Sequence, residues 1–430
     1  MSSPRGNGTR RGLGRFAIDV SPLRTSRDFR LLWSGLFVSE VGWQFSLVGV
    51  FIQVTALTGS EAAVGLSGLV YLAGLVAGSL VGASVLDRWD RRRLLLLAQF
   101  GFIAGTAILL ASALLGTPPL TMIYSGVAVI AAFSALDSPT RSAMTPRLVG
   151  NELIPSAQAL NQVAWNGTAL LGPALAGIVI QHTGVAWAYG IDLATYVVMV
   201  GAAWRIKPMP PEPADDGTET SVGWAAVREG FGYVRRSRLL QATFAIDLVA
   251  MIFGLPRALF TFLAVDQFGR GPELVGVLFT APAVGALLGA VTSGWTRHVR
   301  RQGEAVVIAV ALWGVAIVGF GLVGDRLWLA LVCLAAAGWA DVISAIFRST
   351  ILQVTVPDHL RGRLSGIHIL VVTGGPRLGD LEAGLVAQAV SPTFSVVSGG
   401  LACIVGAWLV ALAYPELPRY RVGARKAPAP

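Results

Sequence analysis

Apolar runs of twenty or more residues, separated by short arginine-bearing joints, recur from Leu31 almost to the end of the chain. A bilayer core takes about 20 apolar residues per helix, and inside it each backbone N–H and C=O must find its partner within the protein. Such a pattern leads to a bundle of membrane-spanning helices. Composition agrees: 54% of the 430 residues are hydrophobic and 13% are charged, against about 25% charged in an ordinary soluble domain. The expected spans are 31–56, 62–86, 94–116, 119–143, 156–181 and 185–206, then 239–265, 272–295, 304–323, 327–349, 365–389 and 395–414. The expected fold class is therefore an all-α membrane protein of twelve transmembrane helices.

Charge sets the topology. The net charge is +9, and Lys207 and Lys426 are the only lysines among 33 basic residues. With the N-terminus inside, the external loops hold Arg270 and Arg326, Arg257 and Arg377 lie within spans, and every other basic residue falls on the cytoplasmic side. The positive-inside rule then places both termini in the cytoplasm. The same distribution excludes a nucleic-acid partner, because the basic residues sit in short joints between spans and form no separate basic domain. The expected organisation is a tail over 1–30, a six-helix half over 31–206, a linker with an interfacial helix over 207–238, a second six-helix half over 239–414, and a tail over 415–430. Residues 1–30 are too polar for a signal peptide. Cys333 and Cys403 lie in apolar runs and read as small buried residues.

The chain is internally duplicated. At an offset of 207 residues Arg141-Ser142 falls on Arg348-Ser349, Gly167 on Gly374, Gly172 on Gly379 and Gly177 on Gly384. At a slightly different offset Val64-Gly65 falls on Val275-Gly276, Gly74 on Gly285 and Gly78 on Gly289. Two related six-span halves are the repeat pattern of secondary transporters.

Between spans two and three stands ASVLDRWDRRRLL, Ala83–Leu95, with six charged residues from Asp87 to Arg93. It matches the loop motif G-x-L-x-D-R-x-G-R-[RK]-x-x-L, with Ala83 and Asp90 replacing two glycines. With SPLRTSRDFRLLW, GALLGAVTSGW and the run from PDHLRGRLSG onward, this stretch makes the chain resemble the major facilitator superfamily over about residues 24–414. Within that superfamily it resembles the branch of the bacterial enterobactin exporter. The resemblance implies the major facilitator fold, a bacterial cytoplasmic-membrane location and transport of a small molecule.

Asp87 stands at a helix C-terminus, where the macrodipole disfavours a negative charge. It therefore needs a partner, and the free N–H groups at the start of span eleven suit a carboxylate. The resemblance implies a conformational latch here, made by Asp87 with Arg88, Arg91 and Arg92, together with Asp137, Arg141 and Arg348. The alternative is a solvated positive-inside anchor. In the second half TSGWTRHVRRQG keeps the arginines but has His298 near the aspartate's place. Gly172-Pro173-Ala174-Leu175-Ala176-Gly177 in span five resembles the antiporter motif of the same superfamily, which is associated with export; close small-residue packing is the alternative.

Charges inside spans are costly and mark functional candidates. Here they are Glu40 in span one, Asp137 and Arg141 in four, Asp192 in six, Asp247 and Arg257 in seven, and Asp341 and Arg348 in ten. Asp137 and Arg141 are spaced to pair on one helix face, as are Asp341 and Arg348. Arg141 and Arg348, near helix ends, are expected to snorkel toward water. A carboxylate in a low dielectric holds a proton more readily than in water, as proton-coupled exchange requires. Glu40 and Asp247 lead the list, with Asp341 and, more weakly, Asp192. Arg257 is placed to meet an anionic substrate or to neutralise Asp247. In span eleven Gly374, Gly375 and Pro376 are expected to break or loosen the helix as a hinge, with Arg377 and Asp380 at pair spacing beside it. Trp43, Phe45, Phe253, Phe260 and Trp339 would suit a large amphipathic substrate or equally pack against helices and lipid.

No phosphate-binding loop of the form G-x-x-x-x-G-K-[ST] occurs, and His182, His298, His359 and His368 are scattered, so neither ATP nor a metal cofactor is expected. An enzyme would show paired acidic motifs, and a sensor a sizeable soluble domain. The sequence thus leads to a monomeric secondary exporter without cofactors, exchanging protons for a siderophore, another secondary metabolite or a drug. An importer of the same fold is the rival within transport.

Overall fold

A computed structural model describes residues 19–85, 88–210, 231–356 and 358–421, with the backbone alone at 83–85 and 358–370. Twelve long helices stand out among the described residues. In the first half they are α1 (Arg27–Thr58), α2 (Glu61–Val85), α3 (Arg91–Leu114), α4 (Leu120–Val149), α5 (Ile154–Thr183) and α6 (Val185–Arg205). In the second they are α7 (Arg238–Phe253), α8 (Pro272–Thr292), α9 (Gln302–Leu322), α10 (Leu327–Thr355), α11 (Asp358–Ala389) and α12 (Pro392–Ala413). Among the described residues, eleven helical stretches are long and apolar enough to cross a membrane. The twelfth helix, α11, has the length, 32 residues, but carries Arg377, Asp380 and Glu382.

Several helices outrun the apolar spans: α4 continues to Val149 and α11 begins at Asp358. A helix need not end where the apolar slab ends, because its polar last turns project into water. Left-handed glycines stop the chain sharply at Gly59, Gly150 and Gly184, a conformation that costs glycine little.

The packing is two-fold pseudo-symmetric. In the first half α1 packs on α5 and α6, α2 on α4, and α3 on α4 and α6; in the second α7 packs on α11 and α12, α8 on α10, and α9 on α10 and α12. The halves meet where α2 packs on α11 and α5 on α8. Both seams rest on glycines. A Cβ on Gly65 would lie 2.5 Å from the Asp380 carbonyl, and one on Gly276 would lie 2.3 Å from the Pro173 carbonyl. A Cβ on Gly384 would lie 3.1 Å from the Gly65 Cα, and one on Gly177 would lie 3.0 Å from the Gly276 Cα. Without side chains the backbones approach closely enough for dispersion forces to hold them, which matters in lipid, where helix association lacks a hydrophobic driving force.

These contacts lie at the end of the bundle opposite the α6–α7 linker. The Thr55 and Thr261 hydroxyls hydrogen-bond there at 2.8 Å, and Ser60 donates to Gln388 at 2.7 Å. Both bonds join one half to the other.

Parts of the expected tails and linker belong to the described residues. Ser21–Thr25 forms one helical turn, and Asp19 accepts hydrogen bonds from Ser21 and, at 2.7 Å, from Ser156 at the start of α5. Leu417 is fully buried, and the backbone of Tyr420 accepts from the Gly303 amide. The linker starts beside α3 and α4: the Arg91 amide donates to the Met209 carbonyl, and Arg147 to that of Pro210, both at 2.9 Å. Most of the expected interfacial helix lies outside the described residues; 231–236 are helical.

Candidate functional site

Among the described residues several clusters of polar side chains sit inside the bundle, and three of them contain ion pairs. On α1 and α4, Arg141 Nε lies 2.8 Å from Asp137, one turn earlier, and Arg141 Nη1 lies 3.4 Å from Glu40. Gln99 on α3 donates to the other Asp137 oxygen at 3.0 Å. On α7 and α10, Arg348 Nη2 lies 3.0 Å from Asp247 and 3.8 Å from Asp341, while Nη1 donates to Ser344 at 3.2 Å. The second cluster is the duplicate of the first, since Glu40 and Arg141 each stand 207 residues before Asp247 and Arg348.

The expectation that Arg141 and Arg348 snorkel is corrected here. Only 21% of the Arg141 side chain and 3% of the Arg348 side chain are exposed. Each turns inward because a carboxylate on the neighbouring helix offers a charge-assisted partner that lipid does not. The pairing of Asp137 with Arg141 and of Asp341 with Arg348 follows the sequence spacing. Of the two roles open to Arg257, an anionic substrate or the neutralising of Asp247, the second is taken by Arg348.

Arg257 instead faces Asp380 at 3.9 Å, and Arg377 approaches the same carboxylate at 3.7 Å. The reason is a break in the seventh span that spacing arguments missed. After Phe253 the helix stops at Gly254-Leu255-Pro256, resumes as a 3₁₀ turn over Arg257–Leu259, passes through Phe260–Phe262, and ends as a π-helical turn over Leu263–Gln267. Pro256 removes a donor and its ring displaces the preceding turn. The freed Gly254 carbonyl accepts a hydrogen bond from Trp313 Nε1 on α9 at 2.6 Å, and Asp380 on α11 is fully buried. The signal was present in the sequence as a glycine two residues before a proline inside an apolar run.

The expected hinge in α11 is also corrected: α11 is one continuous helix from Asp358 to Ala389 with Pro376 inside it. Its glycines serve approach. A Cβ on Gly375 would meet Met251 at 2.6 Å, and one on Gly379 the Ile252 carbonyl at 2.5 Å, so α11 lies directly against the broken helix. Gly374 faces Leu72. Gly172, Pro173 and Gly177 play the matching part in α5, against Gln44 of α1, Gly276 and Pro272.

Asp192 on α6 is fully buried and is held by hydroxyl groups: Ser46 donates to it from α1 and Thr106 from α3 at 3.4 Å. A small cavity lies beside it, lined by Trp43, Ser46, Phe51, Tyr71, Arg377 and neighbouring apolar residues of α1 to α4. Of the five aromatic residues that would suit a substrate or equally pack against helices and lipid, Trp43 lines this cavity. Phe45 and Phe260 are buried in the core, Phe253 packs against it, and Trp339 donates to Thr292.

The latch centred on Asp87 lies outside the described residues. Of its expected partners, Arg88 is exposed, and Arg92 donates to the Trp204 carbonyl at 2.6 Å, within its own half. Asp137 and Arg141 belong to the first buried cluster and Arg348 to the second.

The sequence family described as transmembrane secretion effector matches residues 17–425. The chain belongs to this family, within the major facilitator superfamily. It is a multi-pass membrane transporter of a small-molecule substrate, and not an enzyme. The transporter is 28% identical over 407 residues to the enterobactin exporter EntS of Salmonella typhi, covering 94% of this chain and 96% of that one. The exporter of the same name from Shigella boydii matches equally. Among solved structures, the nucleoside transporter NupG superposes with a TM-score of 0.73 at 13% identity, over 90% of this chain and 100% of that one. A bacterial homologue of the human lysosomal transporter Spinster, inward-facing and unoccupied, superposes with 0.72 at 15% identity, over 94% and 100%. These likenesses establish the fold.

Proposed function

We propose that this transporter exports a siderophore or a related secreted metabolite across a bacterial cytoplasmic membrane, and exchanges it for protons by alternating access. The observation that carries this reading is the duplicated pair of buried carboxylate–arginine contacts, Glu40–Arg141 and Asp247–Arg348, one in each half. A proton arriving at either carboxylate removes its charge and weakens its hold on the arginine, so protonation is linked to the α1–α4 or α7–α10 packing. The glycine seams at the end opposite the linker supply a closed gate there, and rocking of one half against the other would part them. The similarity to exporters named for enterobactin supports the direction of transport and the class of cargo. Both termini then face the cytoplasm, and the protein acts as a monomer in the lipid bilayer.

A drug as cargo is the second reading, favoured by the apolar wall of the cavity at Leu47, Val50 and Phe51. Efflux from cells or uptake into inverted vesicles separates the cases. Export of a siderophore that stops when an uncoupler collapses the proton gradient is the expected result. Flux indifferent to the uncoupler sinks the coupling, and efflux of drugs without siderophores favours the second cargo.

A further inference from the structure

The Arg257–Asp380–Arg377 cluster carries an excess of positive charge into the wall of the cavity. Arg377 is the charged member of the described lining. Its guanidinium carbon lies 4.2 Å from the centre of the Tyr71 ring, and Tyr71 leans on Trp43 with ring centres 5.9 Å apart. Two guanidinium groups thus share one carboxylate, at 3.7 and 3.9 Å. Those separations exceed a hydrogen bond. Each guanidinium has five N–H donors in a planar fork, and among the described residues neither Arg257 nor Arg377 donates a hydrogen bond. Both oxygens of the buried Asp380 carboxylate likewise lack a hydrogen-bond partner among the described residues.

Unsatisfied donors and an uncompensated cation are both expensive inside a membrane protein. The broken helix α7 brings Arg257 to this point, and the glycines at Gly68 and Gly379 let the backbone of α11 close in from both sides. The geometry points to a recognition site for a small molecule that bears a negative charge on an aromatic body. Its charge sits on the Arg377 guanidinium, with Arg257 adding to the field, and its ring lies against Trp43 and Tyr71. A planar fork suits a carboxylate or another pair of adjacent oxygens, which it grips at two points. The inference deepens the export reading and rests on it only in taking the ligand to be the cargo.

Three isosteric probes test it on the purified full-length protein in lipid nanodiscs by calorimetry: 1-naphthoate, the neutral 1-naphthalenemethanol and the cationic 1-naphthylmethylamine. The expected order has naphthoate binding at least tenfold tighter than the neutral probe, and no binding of the amine. Arg377→Gln should cost naphthoate tenfold or more and leave the neutral probe unchanged, and Arg377→Lys should fall between. Asp380→Asn should tighten naphthoate, because the competing carboxylate is gone; a merely structural role predicts the opposite sign. Equal affinities for the three probes, or naphthoate binding untouched by Arg377→Gln, overturn the proposal. Should Arg377→Gln fail to fold, Arg377→Lys and Asp380→Asn decide, and unchanged naphthoate affinity in both overturns it. Export that shows no preference for anions removes this site and leaves the export reading standing, whereas Arg377-dependent anion binding without export does the reverse.

Discussion

Arg348 Nη2 lies 3.0 Å from the Asp247 carboxylate, and both residues stand 207 positions after the members of the Arg141–Glu40 contact. Duplication has thus preserved an interhelical charge pair and not merely a pattern of glycines. The two copies have diverged in what surrounds the arginine. In the first half a second carboxylate, Asp137, lies one turn from Arg141; in the second a hydroxyl, Ser344, occupies that place and Asp341 stands farther off.

This difference predicts unequal costs. Arg348→Gln removes the guanidinium that lies 3.0 Å from Asp247, which is 1% exposed, and breaking a buried pair in this way costs about 3–5 kcal/mol. The thermal midpoint of the purified protein should fall clearly, and Asp247→Asn in the same chain should restore much of the loss. An unshifted midpoint in Arg348→Gln would show that the pair contributes nothing to folding.

Proton coupling is expected to reside in the same pairs. Glu40→Gln and Asp247→Asn should each weaken the uncoupler sensitivity of efflux while the protein still inserts. Full sensitivity in both single variants, measured in inverted vesicles, removes these carboxylates from the coupling path and turns attention to Asp192.

The glycine seams should tolerate little. Gly276→Ala places a methyl 2.3 Å from the Pro173 carbonyl and Gly65→Ala one 2.5 Å from that of Asp380. Backbone must move in both, at about 1–3 kcal/mol. The expected readout is greater labelling of cysteines introduced near Thr55 and Thr261, as the far end loosens, with reduced transport. Labelling unchanged from the parent in both variants would rule the seams out as the closure.

A cross-link tests whether the halves must part. The Thr55 and Thr261 hydroxyls are 2.8 Å apart across the two halves. Cysteines at both positions, with Cys333 and Cys403 replaced by alanine, should oxidise readily, stop transport, and regain it on reduction. Transport that persists in the fully oxidised protein is incompatible with opening at that end.

Asp19 provides a pH contrast outside the spans. Hydrogen bonds from the Ser21 and Ser156 hydroxyls and from the Ser21 amide hold its carboxyl below the usual carboxylate range. A folded-state value below the unfolded one contributes stability that is present above about pH 4 and is lost as pH falls through the folded value. The tether to α5 should therefore stay intact from pH 5 to 8, and Asp19→Asn should leave the pH profile of transport unchanged over that range. A profile shifted by Asp19→Asn would place the N-terminal turn in the coupling path.

The sequence by itself determined the membrane bundle, its twelve helices and its two related halves. Span length, the solvation of backbone groups and the duplication at 207 residues are local or periodic properties, and they survive without coordinates. Pairings within one helix, Arg141 with Asp137 and Arg348 with Asp341, were equally legible from side-chain spacing. Tertiary structure decided what happens between helices. Arg257 lost Asp247 to Arg348 and gained Asp380, because a break at Gly254–Pro256 turns it away from its own helix and toward α11. The same contact explains why α11 stays unbroken through Gly374, Gly375 and Pro376: glycine in a helix permits either bending or close approach, and only the neighbour chooses between them. At this site the neighbour is the broken α7, whose Met251 and Ile252 lie directly against Gly375 and Gly379 of a continuous α11.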